Sequence, residues 1–200
     1  MAAPSPAFIG LSGAIASGKS EALAALGRLG AATLSTDALA HQLVEDPPTL
    51  DRLVERWGPE VAPDGRVDRE RVAAVVFNDP AELRWMESVM HPLVSERVLR
   101  WRTELGADSE LAVVEVPLLF EAGMEAFFDA TLVVVAGDAR RAEWAAARGT
   151  GEVEGRSGRQ LTEGEKAERA TFVVENDGTL EDLEAALREL WPELVAVRSA

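Results

Sequence analysis

The sequence predicts an α/β fold built on a parallel sheet, and three observations carry that prediction. Valine-rich apolar runs, "LAVVEVPLLF" at 111–120 and "ATLVVVAG" at 130–137, are of the kind buried on both faces of such a sheet. Strand-like and helix-like segments alternate along the chain, the pattern of repeated crossover connections. The first strand-like run also leads through a glycine-rich loop into a helix-like run.

Taken in order, "AFIGLS" (7–12) is a short apolar strand ending near glycine. "SEALAALGRLG" (20–30) spaces Leu23, Leu26 and Leu29 three apart before Gly30, which predicts a helix with a glycine stop. "AATLS" (31–35) is a second strand, and the capping types Ser35, Thr36 and Asp37 open a helix that the Pro47-Pro48 pair ends. From 49 to 105 four stretches, "TLDRLVERW", "DRERVAAVVF", "AELRWMESVM" and "HPLVSERVLRWRTEL", each carry apolar residues at helical spacing, with "PDG" turning the chain after the first. This block reads as a helical insertion between two strands. "TFVVEN" (171–176) is a last strand and "TLEDLEAALREL" (179–190) a closing helix. The segment 149–169 is polar and Gly-rich with little apolar periodicity, and is expected to form a mobile loop or lid.

Composition narrows the function. A chain of 200 residues buries about 70% of its unfolded surface without disulfides. It has no cysteine and two histidines, which excludes Cys-based zinc sites and fits a reducing cytoplasm. The N-terminus lacks a basic segment followed by a long apolar one, so a soluble, untargeted protein is expected, with no membrane partner. A formal net charge of -15 repels nucleic acid and anionic membranes, so no nucleic-acid partner is expected. Oligomeric state is not readable. Lys19 and Lys166 are the only lysines in a chain that otherwise uses arginine, and Lys19 falls in "SGKS".

Gly13, Gly18, Lys19 and Ser20 satisfy the phosphate-loop pattern G-x-x-x-x-G-K-[ST], with a strand before and a helix after. Glycines let successive N–H groups point at phosphate oxygens, and the helix start adds a positive dipole. The candidate nucleotide-binding residues are therefore Gly13, Ala14, Ile15, Ala16, Ser17, Gly18, Lys19, Ser20 and Glu21. Lys19 would reach the β- and γ-phosphates of a nucleotide, and Ser20 would hold Mg2+. The loop alone does not name the reaction. A GTPase would carry an N-K-x-D motif, and "ENDG" is not one. Asp37, after the second strand, can accept the proton of an attacking hydroxyl or can simply cap a helix, a task Ser35 and Thr36 can also perform.

The segments "LSGAIASGKS", "STDALAHQL", "PDGRVDRERVAAVVFNDPAELRWMESVMHPLV", "VVEVPLLFEAG" and "TFVVENDGTLEDL" together resemble, in order and spacing, the dephospho-coenzyme A kinases. "HPLV" and "VPLLFE" are the most particular pieces, since a phosphate loop alone does not require them. The resemblance covers nearly the whole chain. It implies transfer of the γ-phosphate of ATP to the ribose 3'-hydroxyl of dephospho-coenzyme A, with Mg2+. It also implies one three-layer P-loop domain over 1–200, with a helical substrate-binding insertion at about 49–105 and a lid at about 141–169. Asp37 matches the second acid of the family's D-A-D motif, the presumed base, with Lys19 beside it in the catalytic set. His91 and Pro92 match its H-P near the acceptor; the alternative is that His91 begins a helix at Pro92. Pro117, Leu118 and Leu119 match its P-L-L, expected to shape the substrate pocket, against the alternative that the leucines are core. Glu115 is a candidate for the Mg2+ shell through water, against a plain strand-end carboxylate. Arg148 and Arg156 are the lid arginines, in a basic cluster with Arg159 and Arg169 that otherwise reads as a solvated loop.

Several positions depart from the family pattern. Ser35 replaces the first acid of D-A-D. Ala14 and Ala16 stand where glycines are common, which requires both backbones to avoid positive φ. Glu21 stands where threonine commonly follows the loop serine and either places a carboxylate near the phosphates or turns outward on the helix, and Trp144 stands where the family often has arginine. Arg140 and Arg141 are expected to supply that charge. Two other readings remain from the sequence: a P-loop kinase of another small molecule, and an ATP-binding protein without catalysis, the latter raised by Ser35 and Trp144. His41 and the five tryptophans are assigned to packing or surface.

Overall fold

The computed structural model describes residues 5–106, 109–138, 140–142 and 160–197. Five parallel strands form one sheet: β1 (Ala7–Gly13), β2 (Ala32–Ser35), β3 (Leu111–Glu115), β4 (Ala130–Val135) and β5 (Phe172–Glu175), in the order β2-β3-β1-β4-β5. All residues of β1 and β3 are buried, as befits strands covered on both faces, whereas the edge strand β5 leaves Val173 45% exposed. The chain adds strands on one side of β1 up to β3 and crosses to the other side at β4. The C-terminal end of β1 therefore lies at a topological switch point, where open α/β sheets bind their ligands.

The chain divides into two compact units, one of Met1–Ser35 with Leu105–Ala200 and one of Thr36–Glu104. In the first, helix α1 (Lys19–Leu29) buries Ala22, Ala25 and Leu26 against Ile9, Leu11, Val113 and Leu132 of one sheet face. The closing helix (Leu180–Ala196) adds Leu183, Leu187 and Leu194 to the same core. Each such fully buried leucine contributes about 1.5–3 kcal/mol. On the other face Phe8 stacks on Phe128 with ring centroids 5.0 Å apart. A Cβ on Gly10 would fall 2.5 Å from Leu119 Cδ1 and 2.7 Å from Phe128, so the strand must be bare there for those side chains to seat.

In the second unit are α2 (Thr36–Leu43), α3 (Pro47–Trp57), α4 (Arg69–Asn78) and α5 (Pro80–Glu104). Three expectations change here and after it. The helix α2 ends at Leu43, short of the Pro47-Pro48 pair expected to end it, and the prolines instead begin α3, because proline at the first helical position loses no hydrogen bond. The two helices expected around 81–105 are one, running through Pro92. Pro92 and Ser88 are both exposed, so the carbonyl deprived of its helical N–H sits where water can serve it. Within the segment expected to be a loop, Glu163–Arg169 forms a short helix, α6, and the closing helix is α7. Thr162 and Glu165 make a capping box that starts α6, and the Thr162 hydroxyl and N–H hold the Glu165 carboxyl below its usual range. No helix among the described residues is long and apolar enough to cross a membrane.

Candidate active site

The loop Gly13–Gly18 joins β1 to α1 and turns through a Ser17 N–H to Ala14 O bond of 3.2 Å. Gly13 has no room for a side chain: a Cβ would lie 2.5 Å from Val134 O and 2.6 Å from Ser17 Oγ. Gly18 (φ 93°) takes the left-handed conformation as the cap of α1, and so does Ala16 (φ 61°). The expectation that alanine at 16 keeps its backbone out of that region is thus wrong. The loop must reverse between a strand and a helix in a few residues, and it does so through position 16 although an alanine stands there. The strain is about 1–2 kcal/mol for an L-residue, and it persists only where surroundings fix the backbone.

Those surroundings are polar and buried. Lys19 Nζ donates to Gly13 O (3.2 Å) and Ala14 O (2.7 Å). Asn176, 4% exposed just beyond β5, donates from Nδ2 to Ser17 O at 2.9 Å while its own N–H bonds Val135 O. Ser17 is wholly buried, and its Oγ has no hydrogen-bond partner among the described residues. Ile15 and Glu21 are half-buried, Ala14 is buried, and Ser20 is exposed on the first turn of α1. There the helix dipole favours an anion.

Beside the loop, Glu115 is buried at the end of β3, in register with Leu11 of β1 on one side and Ser35 of β2 on the other. The next turn is stitched to β1: Val116 N–H donates to Leu11 O (2.8 Å), and Pro117 O accepts from Ser12 Oγ (3.2 Å). The two leucines that follow differ. Leu119 is fully buried on Gly10, in agreement with the core alternative, while Leu118 is 42% exposed.

Lys166, which the phosphate-loop pattern does not include, is brought to the site by the fold. It is 0% exposed, and its Nζ lies 3.0 Å from Pro117 O, 3.4 Å from Gly13 O and 3.0 Å from Glu121 Oε1. The one sequence signal for it is that a chain using arginine nearly throughout keeps a second lysine here. Asn176 carried no signal beyond following a strand.

Asp37 and His91 stand in the second unit. Asp37 is in the first turn of α2, immediately after β2, exposed, and its side chain makes no hydrogen bond or ion pair among the described residues. His91 is exposed in the middle of α5, which removes the reading of it as a helix start. Arg148, Arg156, Arg159 and Trp144 lie outside the described residues. Arg140 donates to Gly178 O at 2.6 Å, and Arg141 pairs with Asp138 and lies 4.0 Å from Glu163. Both arginines are thus engaged with neighbouring groups of the sheet unit. Arg169 pairs with Glu125 and lies over the Phe120 ring at 5.4 Å. Burial pushes the Glu163 carboxyl up, against the opposing pull of Arg141 and of the Ala136 N–H it accepts.

Among the described residues no group of three or more His, Asp or Glu is placed to hold a metal ion. A divalent cation here would draw most of its ligands from phosphate oxygens and water, the habit of Mg2+, with Ser20 and Glu115 as the oxygen donors the chain offers.

Comparison with known proteins supplies the family. A family model described as dephospho-CoA kinase matches residues 7–182. The dephospho-CoA kinase of Thermus thermophilus is 40% identical over 192 residues, covering 94% of this chain and 92% of its own length. That of Deinococcus radiodurans is 41% identical over 193 residues, covering 92% and 93%. A crystal structure from Thermus thermophilus, 40% identical, superposes with a TM-score of 0.80 over 94% of this chain and 98% of the other. On this match, running from β1 into α7, the chain belongs to the dephospho-CoA kinase family.

Proposed function

We propose that this protein transfers the γ-phosphate of ATP to the ribose 3'-hydroxyl of dephospho-coenzyme A, giving coenzyme A and ADP, in the cytoplasm and with Mg2+. The observation that carries the reading is the cradle of Gly13 to Ser20 at the switch point of the sheet. Its first glycine admits no side chain, and its lysine is held at the loop's own carbonyls. Phosphoryl transfer needs little covalent help from protein, so the roles are mainly positioning and neutralisation of charge.

Lys19 turns from the carbonyls of Gly13 and Ala14 to the β- and γ-phosphates. Mg2+, when bound, neutralises charge on those phosphates, with Ser20 as direct ligand and Glu115 acting through water. Asp37 accepts the proton of the attacking hydroxyl; its exposed, unpartnered carboxylate supports that assignment. His91, Pro117 and the exposed Leu118 are assigned to the acceptor, Leu119 to the floor beneath, and the helical region at about 49–105 to acceptor binding. Arg148 and Arg156 are assigned, by the resemblance alone, to the charge of the transferring phosphate. The net charge of -15 opposes two anionic substrates, so the local cations must outweigh the global field.

The test is coupled ADP release with Mg-ATP and dephospho-coenzyme A, with adenosine and shikimate as control acceptors. Release with dephospho-coenzyme A alone is expected. Release with another acceptor, or none from protein that still binds ATP, would overturn the assignment.

A further inference from the structure

Lys166 is a buried cation with no place in the roles above. Its ammonium has three N–H donors, and the structure gives it three oxygens: Pro117 O at 3.0 Å, Glu121 Oε1 at 3.0 Å and Gly13 O at 3.4 Å. These acceptors come from different functional parts of the chain. Gly13 is the root of the nucleotide loop. Pro117 begins the P-L-L turn after β3. Glu121 Oε1 also accepts the N–H of Leu161 at 2.9 Å, which anchors the strand of chain entering α6. At 0% exposure no water can replace any of these bonds.

Gly13 O is the meeting point of both lysines, accepting from Lys19 at 3.2 Å and from Lys166 at 3.4 Å. When Lys19 turns to a phosphate, a carbonyl in a fully buried residue would lose its donor unless another remained. Lys166 is that other donor. The same ammonium fixes the distance between the nucleotide loop and the turn at Pro117, whose carbonyl Ser12 Oγ also holds.

We infer that Lys166 is a positioning residue for phosphoryl transfer, acting through Gly13 and Pro117: it frees Lys19 for the nucleotide and holds the two loops at a fixed spacing. The inference rests on the kinase reading for its effect on turnover, and on the phosphate loop alone for its effect on nucleotide binding.

The experiment must separate positioning from mere stability, because Lys166→Met alone leaves Glu121 as a half-buried carboxylate without its ion-pair partner. The double variant Lys166→Met with Glu121→Gln removes both charges, a replacement that buried ion pairs often tolerate. Thermal unfolding, ATP affinity by titration, and kcat and KM with dephospho-coenzyme A are measured on wild type, Lys166→Met and the double variant. Stability is expected to recover in the double variant while function does not: kcat falls about 30-fold, acceptor KM stays within about threefold, and ATP Kd rises about fivefold.

A double variant with kcat within about twofold of wild type overturns the inference. Should the wild type turn over no acceptor, the kinase reading fails separately, and an ATP Kd unchanged within about twofold in the double variant then overturns the positioning role. If the double variant does not fold, Lys166→Gln with Glu121→Gln, an amide pair able to hydrogen-bond within the same space, is measured against the same expectations.

Discussion

The best-connected polar groups of the two units are held differently. In the sheet unit, buried side chains reach backbone oxygens: Lys19 and Lys166 donate to Gly13 O, Lys166 and Ser12 to Pro117 O, and Asn176 to Ser17 O. In the helical unit, the densest cluster joins side chains to one another. Arg56 donates to both oxygens of Glu82, Trp57 Nε1 donates to Glu82 at 2.7 Å, and Arg56 lies 5.3 Å from the centre of the Trp85 ring that packs edge-on to Trp57. Bonds to backbone oxygens fix a loop's shape, so their loss should be read in catalysis. Bonds between surface side chains brace helices, so their loss should be read in stability, and then only modestly.

Asp37→Asn would break this contrast most severely, since it alters the helical unit without touching its bracing. We expect kcat to fall about 100- to 10,000-fold with ATP affinity within about threefold and the melting temperature unchanged. Near-normal turnover would remove Asp37 as the base. Gly13→Ala tests the sheet unit directly: the added methyl meets Val134 O and Ser17 Oγ, and overpacking of this kind costs about 1–3 kcal/mol. ATP titration should show binding largely lost, and unchanged binding would mean the loop is not the nucleotide cradle.

The remaining two predictions are smaller. The Arg56 guanidinium, with the Trp57 indole behind it, holds the Glu82 carboxyl at about 2, below its ordinary 4.5. A carboxyl lowered on folding contributes stability that is complete above its unfolded value and is lost as pH falls through the folded one. The stability advantage of wild type over Glu82→Gln should therefore hold at neutral pH and shrink between about pH 4.5 and 2, as followed by thermal unfolding. An advantage independent of pH would show that Glu82 acts by shape rather than charge. Ala16→Gly relieves a left-handed alanine but adds chain entropy to the unfolded state, so a net gain of only about 0.5 kcal/mol, or about 1–2 °C, is expected.

What the sequence made legible follows the same division. Strands β1, β3 and β4 declared themselves because burial on both faces leaves no polar alternation to confuse, and the loop declared itself because Gly18, Lys19 and Ser20 have few other reasons to stand together. The family pattern pointed to Asp37. What stayed hidden was held by single polar side chains. Helix α6 has seven residues and buries only Lys166, so it shows no apolar stripe. The continuity of α5 through Pro92 depends on where the exposed side of the helix falls, which spacing does not reveal. Ala16 carries no mark of its positive φ, because alanine is the residue that usually avoids it.

The scarcity of lysine has a practical consequence. One of the chain's two lysines is sealed from solvent and the other sits in the nucleotide loop. An amine-directed reagent therefore meets a single side chain, Lys19, besides the N-terminal amine. Protection of that one mass addition by ATP would report occupancy of the loop at single-residue resolution, in the unmodified protein and without any acceptor present.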